Sequence, residues 1–313
     1  MADSFLQTHN PDVAQPSDPR SRVRWLVMRL AVATLLLMAV GSATRVMNAG
    51  LACPDWPLCY GQLLPNQQMN LRVFLEWFHR LDAAVVSCGA IALATLSWWQ
   101  RQHLPRWFPG LATLAVLLIG VQAGLGALTV TELLRFDLVT AHLGTALLFF
   151  SLLVFLGSAL MPYRASGQVG RLSWMGLLAA ICVYGQSISG GLVASRWALH
   201  QCFEAAQLCA VMNGHILGLI LPTLSIVLLA VWVWRTPALP AVLRQLSMLS
   251  GGLLLIQIAL GFATFRLHLQ VEPLTVAHQA VGATLLGVLI AFTVLAYRDR
   301  KISDTVPPNL ANS

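Results

Sequence analysis

Four histidines recur at equal intervals in or beside apolar segments of the chain. The interval from His79 to His142 equals that from His215 to His278, so each member of the first pair precedes its counterpart in the second by the same offset. An imidazole inside a bilayer is costly unless it has a partner. Neutral imidazole is also the usual protein ligand of haem iron. The doubled spacing therefore predicts two copies of one unit, each of which holds a metal between two histidines.

The alternatives to haem are a packing role for each histidine and a zinc or copper site. A polar residue in a membrane helix is often held by hydrogen bonds to neighbouring helices, but four placements in one doubled pattern weaken that interpretation. Zinc and copper usually take three or four close ligands, whereas each pair supplies two, so haem is favoured. Four other histidines break the repeat and are expected to be solvated or interfacial, the last two within reach of a porphyrin edge: His9, His103, His200 and His268.

The two halves differ one helical turn before the first histidine of each pair. Glu76 precedes His79 by three residues, and its counterpart in the second half, at the offset that relates the histidine pairs, is Met212. Residues three apart share a face of a helix, so a carboxylate is expected beside the metal site of the first half only. Such an acid can be an interfacial residue favoured by the helix dipole, or it can move protons and orient water beside a haem. The asymmetry favours chemistry in the first half and electron transfer in the second.

The cysteines also occur as one pair per half. Cys53 and Cys59 fall in the first outer loop, and Cys202 and Cys209 fall in the third. Both loops are expected to face an oxidising compartment, where disulfides persist, and neither spacing is that of a CxxC redox or zinc motif. A structural disulfide over each haem pocket is the favoured interpretation, and a thiol–disulfide couple at the first pair is the alternative. The two remaining cysteines, within spans, are expected to be packing residues: Cys88 and Cys182.

Composition identifies a membrane protein. Of the 313 residues, 57% are hydrophobic and 10% are charged, whereas a soluble domain has about 25% charged residues. Eight apolar stretches are long enough to cross a hydrocarbon core of about 30 Å. They are residues 25–46, 76–99, 108–130, 137–160, 172–194, 211–234, 244–265 and 274–297. The chain is therefore predicted to be an all-α integral membrane protein with eight transmembrane helices.

The basic residues indicate the orientation of these spans. They concentrate before the first span, in alternate loops and after the last span: Arg20, Arg22, Arg24, Arg101, Arg106, Arg164, Arg171, Arg235, Arg244, Arg298, Arg300 and Lys301. The opposite loops hold most of the acids: Asp55, Glu132, Asp137, Glu204 and Glu272. By the positive-inside rule both termini are cytoplasmic, so the net charge of +7 reflects topology and not a nucleic-acid site. Residues 1–24 are predicted to be a disordered cytoplasmic tail, and 298–313 a second tail.

An internal repeat divides the chain into halves. A Gln-x3-Gly-x2-Thr pattern occurs in spans three and seven at nearly the offset of the histidine pairs, and span five has a related run. The residues are Gln122, Gly126 and Thr129; Gln257, Gly261 and Thr264; and Gln186, Gly190 and Val193. Because each half has four spans, the halves are parallel repeats. We expect two pseudo-symmetric four-helix bundles, residues 25–160 and 172–297, joined by a cytoplasmic linker at 161–171.

Five segments of the sequence together resemble the haem A synthase family, in its bacterial branch with cysteine pairs. They are GSATRVMNAGLACPDWPLC, EWFHR, TAHLG, NGHILG and VAHQ, and the resemblance extends over about residues 25–297. It implies a membrane oxidoreductase that converts haem O to haem A for cytochrome oxidase biogenesis. The C8 methyl group of the porphyrin would be hydroxylated twice, and the gem-diol would lose water to give a formyl group.

The resemblance also implies roles for individual residues. Glu76, His79 and His142 would form the catalytic site for the substrate haem, and His215 and His278 would ligate a resident haem b. Cys53 and Cys59 match the family's first outer cysteine pair, and pairing within each loop is the expectation for both pairs.

The resemblance further implies an environment and partners. The expected location is the bacterial inner membrane, with the haem sites toward the periplasm. The implied partners are membrane lipid, the farnesyl-transferring haem O synthase that supplies haem O, cytochrome oxidase assembly factors and a second copy of the chain.

Two other functions fit the sequence less well than the enzyme. A di-haem b-type electron-transfer cytochrome would favour haems toward opposite faces of the membrane. The predicted topology instead puts all four histidines near the outer ends of spans two, four, six and eight, at one depth. Such a cytochrome would also leave Glu76 without a role. A transporter is disfavoured because the sequence shows no midplane acid–base pairs and no obviously broken helix.

Overall fold

The structure, a computed structural model, describes residues 19–167, 169–194, 209–267 and 270–305, and these are mainly helical. The helices of these residues are α1 (Pro19–Val46), α2 (Leu71–Trp99), α3 (Phe108–Thr131), α4 (Phe136–Ala159), α5 (Leu172–Val193), α6 (Cys209–Gly218), α7 (Ile220–Arg235), α8 (Ala241–Arg266) and α9 (Glu272–Thr305). A short 3₁₀ turn, Arg101–His103, joins α2 to α3.

Eight helical segments of the described residues are long and apolar enough to cross a membrane, which confirms the predicted number of spans. The main differences lie at the two ends of the chain. The first helix begins at Pro19, before the predicted start at residue 25, and the last continues to Thr305, beyond the predicted end at 297. Charged residues prolong both helices past the apolar core, because a helix satisfies its own backbone whether or not lipid surrounds it.

The sixth span is interrupted. It consists of α6 and α7, which are separated at Leu219. Pro222 explains the break, because proline has no amide hydrogen to donate to the carbonyl four residues earlier, which is that of Gly218 at the end of α6. The interruption lies one turn after His215, so it falls close to a predicted metal ligand.

Helix α2, which carries Glu76 and His79, has a defined start. The Asn70 side chain accepts hydrogen bonds from the backbone N–H groups of Arg72 and Val73, at 3.0 and 3.2 Å. Such an N-cap satisfies amides that have no partner within the helix. The cap therefore fixes the first turns of α2 relative to the preceding loop, residues 47–70.

The helices pack in two closed sets. In the first, α1 contacts α2, α2 contacts α3, α3 contacts α4 and α4 contacts α1; in the second, α5 contacts α6 and α7, α7 contacts α8, α8 contacts α9 and α9 contacts α5. Between the sets, α1 and α4 contact α9, and α4 contacts α5. Buried aromatic and aliphatic side chains fill this boundary, among them Phe149, Phe150 and Phe292. The boundary is therefore a continuous apolar core.

A polar contact holds the segment between α4 and α5 against the last helix. Asp299 is fully buried and accepts hydrogen bonds from the Tyr163 hydroxyl at 2.7 Å and from the backbone N–H groups of Ser166 and Gly167, each at 2.8 Å. Burial, together with the hydrogen bond to Asp299, raises the pKa of Tyr163. Arg298 donates to the carbonyls of Ser158 and Met161. These bonds explain why α9 continues as a helix where a tail was expected.

Candidate functional site

The histidines of the first half lie on two helices of the same set, near enough to influence each other. His79 lies in the first turns of α2, and His142 lies in the first turns of α4. Both side chains are half-buried, and the two imidazoles are close enough to interact electrostatically. His79 packs on Gly41 of α1, where an added Cβ would lie 2.8 Å from its Cε1 atom, and His142 packs on Gly126 of α3, where the same distance is 3.3 Å.

The histidines of the second half repeat this arrangement. His215 in α6 and His278 in α9 are also half-buried and within electrostatic range of each other. His215 packs on Gly190 of α5, with 3.0 Å between Cε1 and an added Cβ, and His278 packs on Gly261 of α8, with 2.9 Å. Every histidine of the repeat therefore has its ring against a glycine of the preceding transmembrane helix.

The glycines explain the Gln-x3-Gly pattern of the sequence. Near each ring lies the backbone carbonyl of the residue four positions before the glycine: Leu37, Gln122, Gln186 and Gln257. A side chain at the glycine position would collide with the imidazole, so close approach requires glycine there. Sequence reasoning missed the fourth copy, Leu37-x3-Gly41, because leucine replaces glutamine in α1. A search for glycine alone in the last turns of each preceding helix would have found it.

The glutamine side chains distinguish the halves. The Gln186 Nε2 atom is 3.1 Å from His215 Nδ1 and donates to the His215 carbonyl at 2.7 Å, and the Gln257 Nε2 atom is 3.3 Å from His278 Nε2. In the first half, Leu37 has no side-chain amide, and no hydrogen bond joins the Gln122 amide to His142 among the described residues. Side-chain amides therefore hold the histidines of the second half, and no such contact is seen among the described residues of the first.

The donor set of each pair fits a haem with two axial imidazoles. The Nδ1 atoms of His79, His142 and His278 are buried, with no hydrogen-bond partner among the described residues. Within the same residues no three His, Cys, Asp or Glu side chains cluster as a metal site. A porphyrin supplies four nitrogens of its own, so the two imidazoles of a pair would complete the coordination of its iron.

Glu76 lies against the first outer loop, and each of its two carboxylate oxygens has a partner. Its side chain is 4% exposed. The Oε2 atom accepts from the Cys53 backbone N–H at 2.8 Å, and the Oε1 atom pairs with the guanidinium of Arg80 at 2.5 Å. Arg80 also donates to the carbonyls of Asp55 and Leu58. The structure thus joins the predicted acid to a basic residue that sequence reasoning missed, although Arg80 follows His79 directly.

Cys53 and Cys59 form a disulfide, which confirms the predicted pair. Both are buried and pack against Val73 and Trp77 of α2. The second pair is not described in the same way, because Cys202 lies outside the described residues and the side chain of Cys209 is not described. Cys88 and Cys182, which were expected to be packing residues, are free thiols among the described residues, but Cys88 is exposed and Cys182 is only half-buried.

A turn next to the disulfide is held by a carboxylate. Asp55 accepts hydrogen bonds from the backbone N–H groups of Tyr60 at 2.6 Å and Gly61 at 2.7 Å. Gly61 has a φ of +70°, which glycine adopts without strain. The hydrogen bond from Gly61, more than any other contact, lowers the pKa of Asp55. The disulfide and this turn therefore hold the loop together internally, and the Glu76–Arg80 pair holds it against α2.

The second half has apolar residues at the two positions that correspond to this acid and base. The positions equivalent to Glu76 and Arg80 in the repeat are Met212 and Ile216, in the first two turns of α6.

The other histidines belong to neither pair. His103 is exposed in the 3₁₀ turn, as expected, and its carbonyl accepts from Arg20 at 2.6 Å, while His9, His200 and His268 lie outside the described residues.

Known proteins share this sequence over most of its length. A family described as cytochrome oxidase assembly protein matches residues 23–290. The chain is 28% identical to the haem A synthase of Shewanella oneidensis, over 91% of this chain and 99% of that one. It is 24% identical to that of Bacillus licheniformis, over 86% and 94%, and 34% identical to that of Symbiobacterium thermophilum, over 43% and 44%. Because the family match includes all four paired histidines, Glu76 and the first cysteine pair, the chain belongs to the cytochrome oxidase assembly protein family.

Proposed function

We propose that the chain is a haem A synthase, which oxidises the C8 methyl group of haem O to a formyl group by two successive hydroxylations. One observation carries the proposal. A chain that aligns over 91% of its length with a haem A synthase brings four histidines together as two pairs, each ring against a glycine. The product would serve cytochrome oxidase biogenesis, as the family description suggests.

The packing of the helices supports a pseudo-symmetric arrangement of two parallel four-helix bundles. An axis that exchanges the halves converts the α1–α9 contact into the α5–α4 contact, and both contacts occur. Residues 25–160 would form the first bundle and 172–297 the second, joined by the linker at 161–171 and flanked by the tails 1–24 and 298–313. The basic residues then favour a cytoplasmic location for both termini in a bacterial cell, with the histidine pairs toward the periplasm.

We assign the second half to a resident haem b, ligated by His215 and His278. The Gln186 and Gln257 side chains lie next to these rings and support the assignment, because close neighbours limit how far a ligating imidazole can turn. A cofactor that stays bound requires fixed ligands, and when bound it supplies one-electron redox chemistry.

The first half would take the substrate, haem O, between His79 and His142. The rings of these histidines have no glutamine amide against them among the described contacts, which suits a site that must exchange its haem. Glu76 lies one helical turn from His79 and is oriented by Arg80 and the Cys53 amide. In that position its carboxylate can orient water or accept a proton beside the reacting methyl group. The disulfide loop closes the same end of the bundle and limits access of bulk water.

The proposal also defines the chain's surroundings. Haem O would come from the farnesyl-transferring haem O synthase in the same membrane, and haem A would pass to assembly factors of cytochrome oxidase. A second copy of the chain is a further candidate partner. The farnesyl-type tail of the substrate is apolar and would extend among helices or lipid.

The test is to supply the purified protein with haem O and identify the extracted haems by mass spectrometry. The control is the His142→Ala variant, which removes a proposed substrate ligand. Haem A formed by the wild-type protein and absent from the control supports the enzyme. Bound haem without any conversion, under conditions that supply electrons and oxidant, would instead identify a di-haem b-type electron-transfer cytochrome.

A further inference from the structure

Arg45 connects α1, whose Gly41 touches His79, to α5, whose Gly190 touches His215. It lies near the end of α1, one helical turn after Gly41, the residue that touches His79. Its Nη2 atom donates to the carbonyl of Gly191 in α5 at 3.3 Å. Gly191 directly follows Gly190, which touches His215. A cationic side chain of the first half therefore reaches the helix that supports a haem ligand of the second half.

The position of this cation is well fixed. The neighbouring Thr44 hydroxyl lies 2.9 Å from the carbonyl of Val40 and 3.3 Å from that of Leu75 in α2, so the end of α1 is attached to α2 on one side and to α5 on the other. The position four residues after Gly190, equivalent in the repeat, is Ala194. One half supplies the cation, and the other has a methyl group in its place.

The charge of Arg45 is not matched by a carboxylate of the described chain. The ion pairs there are Arg80 with Glu76, and Arg135 with Glu132 and Asp137. A half-buried charge in a membrane-spanning segment requires a counter-charge. A guanidinium has five N–H donors in a planar fork that matches a carboxylate, and the bond to Gly191 uses one of them. The geometry thus leaves donors for an anion at the boundary of the two halves.

We propose that Arg45 binds a propionate carboxylate of the haem that His215 and His278 hold. The inference rests on the proposed function, because it requires a haem in the second half. Each haem b carries two propionates, whose negative charges need partners once the porphyrin is inside the protein. Arg45 bonds to Gly191, which follows the glycine that touches His215. We therefore assign the propionate to the resident haem of the second half.

The proposed contact has an electrostatic consequence. A positive charge near the iron, and hydrogen bonds that fix a propionate, make the reduced haem more favourable. The first half, where substrate is bound, would thereby raise the affinity of the second-half haem for an electron. A residue with a purely structural role would leave that affinity unchanged.

The experiment is a redox titration of the resident haem, followed by its absorbance and carried out without haem O. It compares the wild-type protein with Arg45→Gln, Arg45→Lys and a control, Arg266→Gln. The control removes an arginine at the end of α8, which is exposed and stands over the Phe262 ring. We expect Arg45→Gln to lower the ratio of reduced to oxidised haem at the wild-type midpoint by roughly tenfold, or ~59 mV for one electron. Arg45→Lys should fall between the two, and the control should match the wild type.

Each outcome decides the proposal. A midpoint potential unchanged in Arg45→Gln, with haem still bound, would overturn the proposal. A raised KM for haem O in the same variant would assign Arg45 to the substrate instead.

If Arg45→Gln cannot be recovered, infrared difference spectra of Arg45→Lys with ¹³C-labelled propionates replace the titration. Unshifted carboxylate bands in those spectra would overturn the proposal. A lowered potential in a protein that makes no haem A would support Arg45 while refuting the synthase. The absence of any bound haem would refute both.

Discussion

The two halves of this protein pack their histidines in the same way and differ in the residues that surround them. In both, each imidazole lies against a glycine of the preceding transmembrane helix. In the second half, glutamine amides approach the rings, whereas the first half has Glu76, Arg80 and a disulfide-bonded loop at the corresponding end. On the proposed function, a duplicated unit keeps the contact between each histidine and a glycine, while the neighbouring residues separate chemistry from cofactor retention.

The largest effect is expected where the second-half ligands are removed. His215→Ala or His278→Ala should abolish the absorbance of low-spin haem b, because each iron depends on two axial imidazoles. The measurement is the reduced-minus-oxidised spectrum of the purified variants. His103→Ala is the matched control, since this exposed histidine belongs to neither pair. A spectrum unchanged in either ligand variant would remove the assignment of haem b to the second half.

The acid of the first half gives the next largest effect. Glu76→Gln should leave the haem b spectrum intact and lower the rate of haem A formation by about 10²- to 10⁴-fold, the usual contribution of a positioned acid or base. The repeat offers a matched control, Met212→Gln, which places the same amide at the equivalent position of the second half. Full activity in Glu76→Gln would mean that this residue only attaches the loop through Cys53 and Arg80.

The glycine contacts test whether ligand geometry is shared. Gly190→Ala and Gly261→Ala should reduce haem b content, whereas Gly41→Ala should reduce haem A formation with haem b retained. The added methyl groups would lie 2.8 to 3.0 Å from an imidazole carbon in these variants and 3.3 Å away in Gly126→Ala, so Gly126→Ala should have the mildest effect. Haem content per protein, together with turnover, measures both. Equal losses of both haems in every variant would contradict separate sites.

The disulfide of the first half should contribute modestly to stability. Removing it in the double variant Cys53→Ser, Cys59→Ser should lower the free energy of unfolding by about 2 kcal/mol, the expectation for a short closed loop. The thermal unfolding temperature would measure this, with Cys88→Ser as control. In the wild type both thiols should resist alkylation until a reductant is added. Complete loss of haem A formation without loss of stability would favour the redox role for this pair.

The smallest effect concerns the turn at Asp55. Because hydrogen bonds from Gly61 and Tyr60 lower the pKa of this carboxyl, the turn is stabilised above the unfolded value of about 3.9. That stabilisation is lost as the pH falls through the lower folded value. Hydrogen exchange of the 55–62 segment, corrected for intrinsic rates, should therefore accelerate at acid pH. Asp55→Asn should show fast exchange already at neutral pH, and equal protection in the variant would refute the role of the carboxylate.

Sequence reasoning predicted the spans because a bilayer imposes a minimum apolar length on every helix. It predicted the two histidine pairs and the cysteine pair Cys53–Cys59 because their spacing is preserved in a repeat or within one loop. The ends of the first and last helices were less predictable, since charged residues there are held by contacts such as that of Asp299 with Tyr163. The interruption at Leu219 was missed, although Pro222 signals it.

Contacts between distant helices were not available from the pattern of the sequence. Arg45 and Arg80 occur in the segments that resemble the family, but nothing in their spacing shows that one reaches Gly191 and the other Glu76. Gly41 was hidden by the substitution of leucine for glutamine at residue 37. In each case the missing information is which helix faces which, and this depends on packing in three dimensions.

The central claim is that one half holds a cofactor and the other converts a substrate. The most direct test is mass spectrometry of the haems extracted from His142→Ala and His278→Ala after both have been supplied with haem O. The account predicts haem b without haem A in His142→Ala and loss of haem b in His278→Ala. The same haem lost from both variants would contradict the division between the halves.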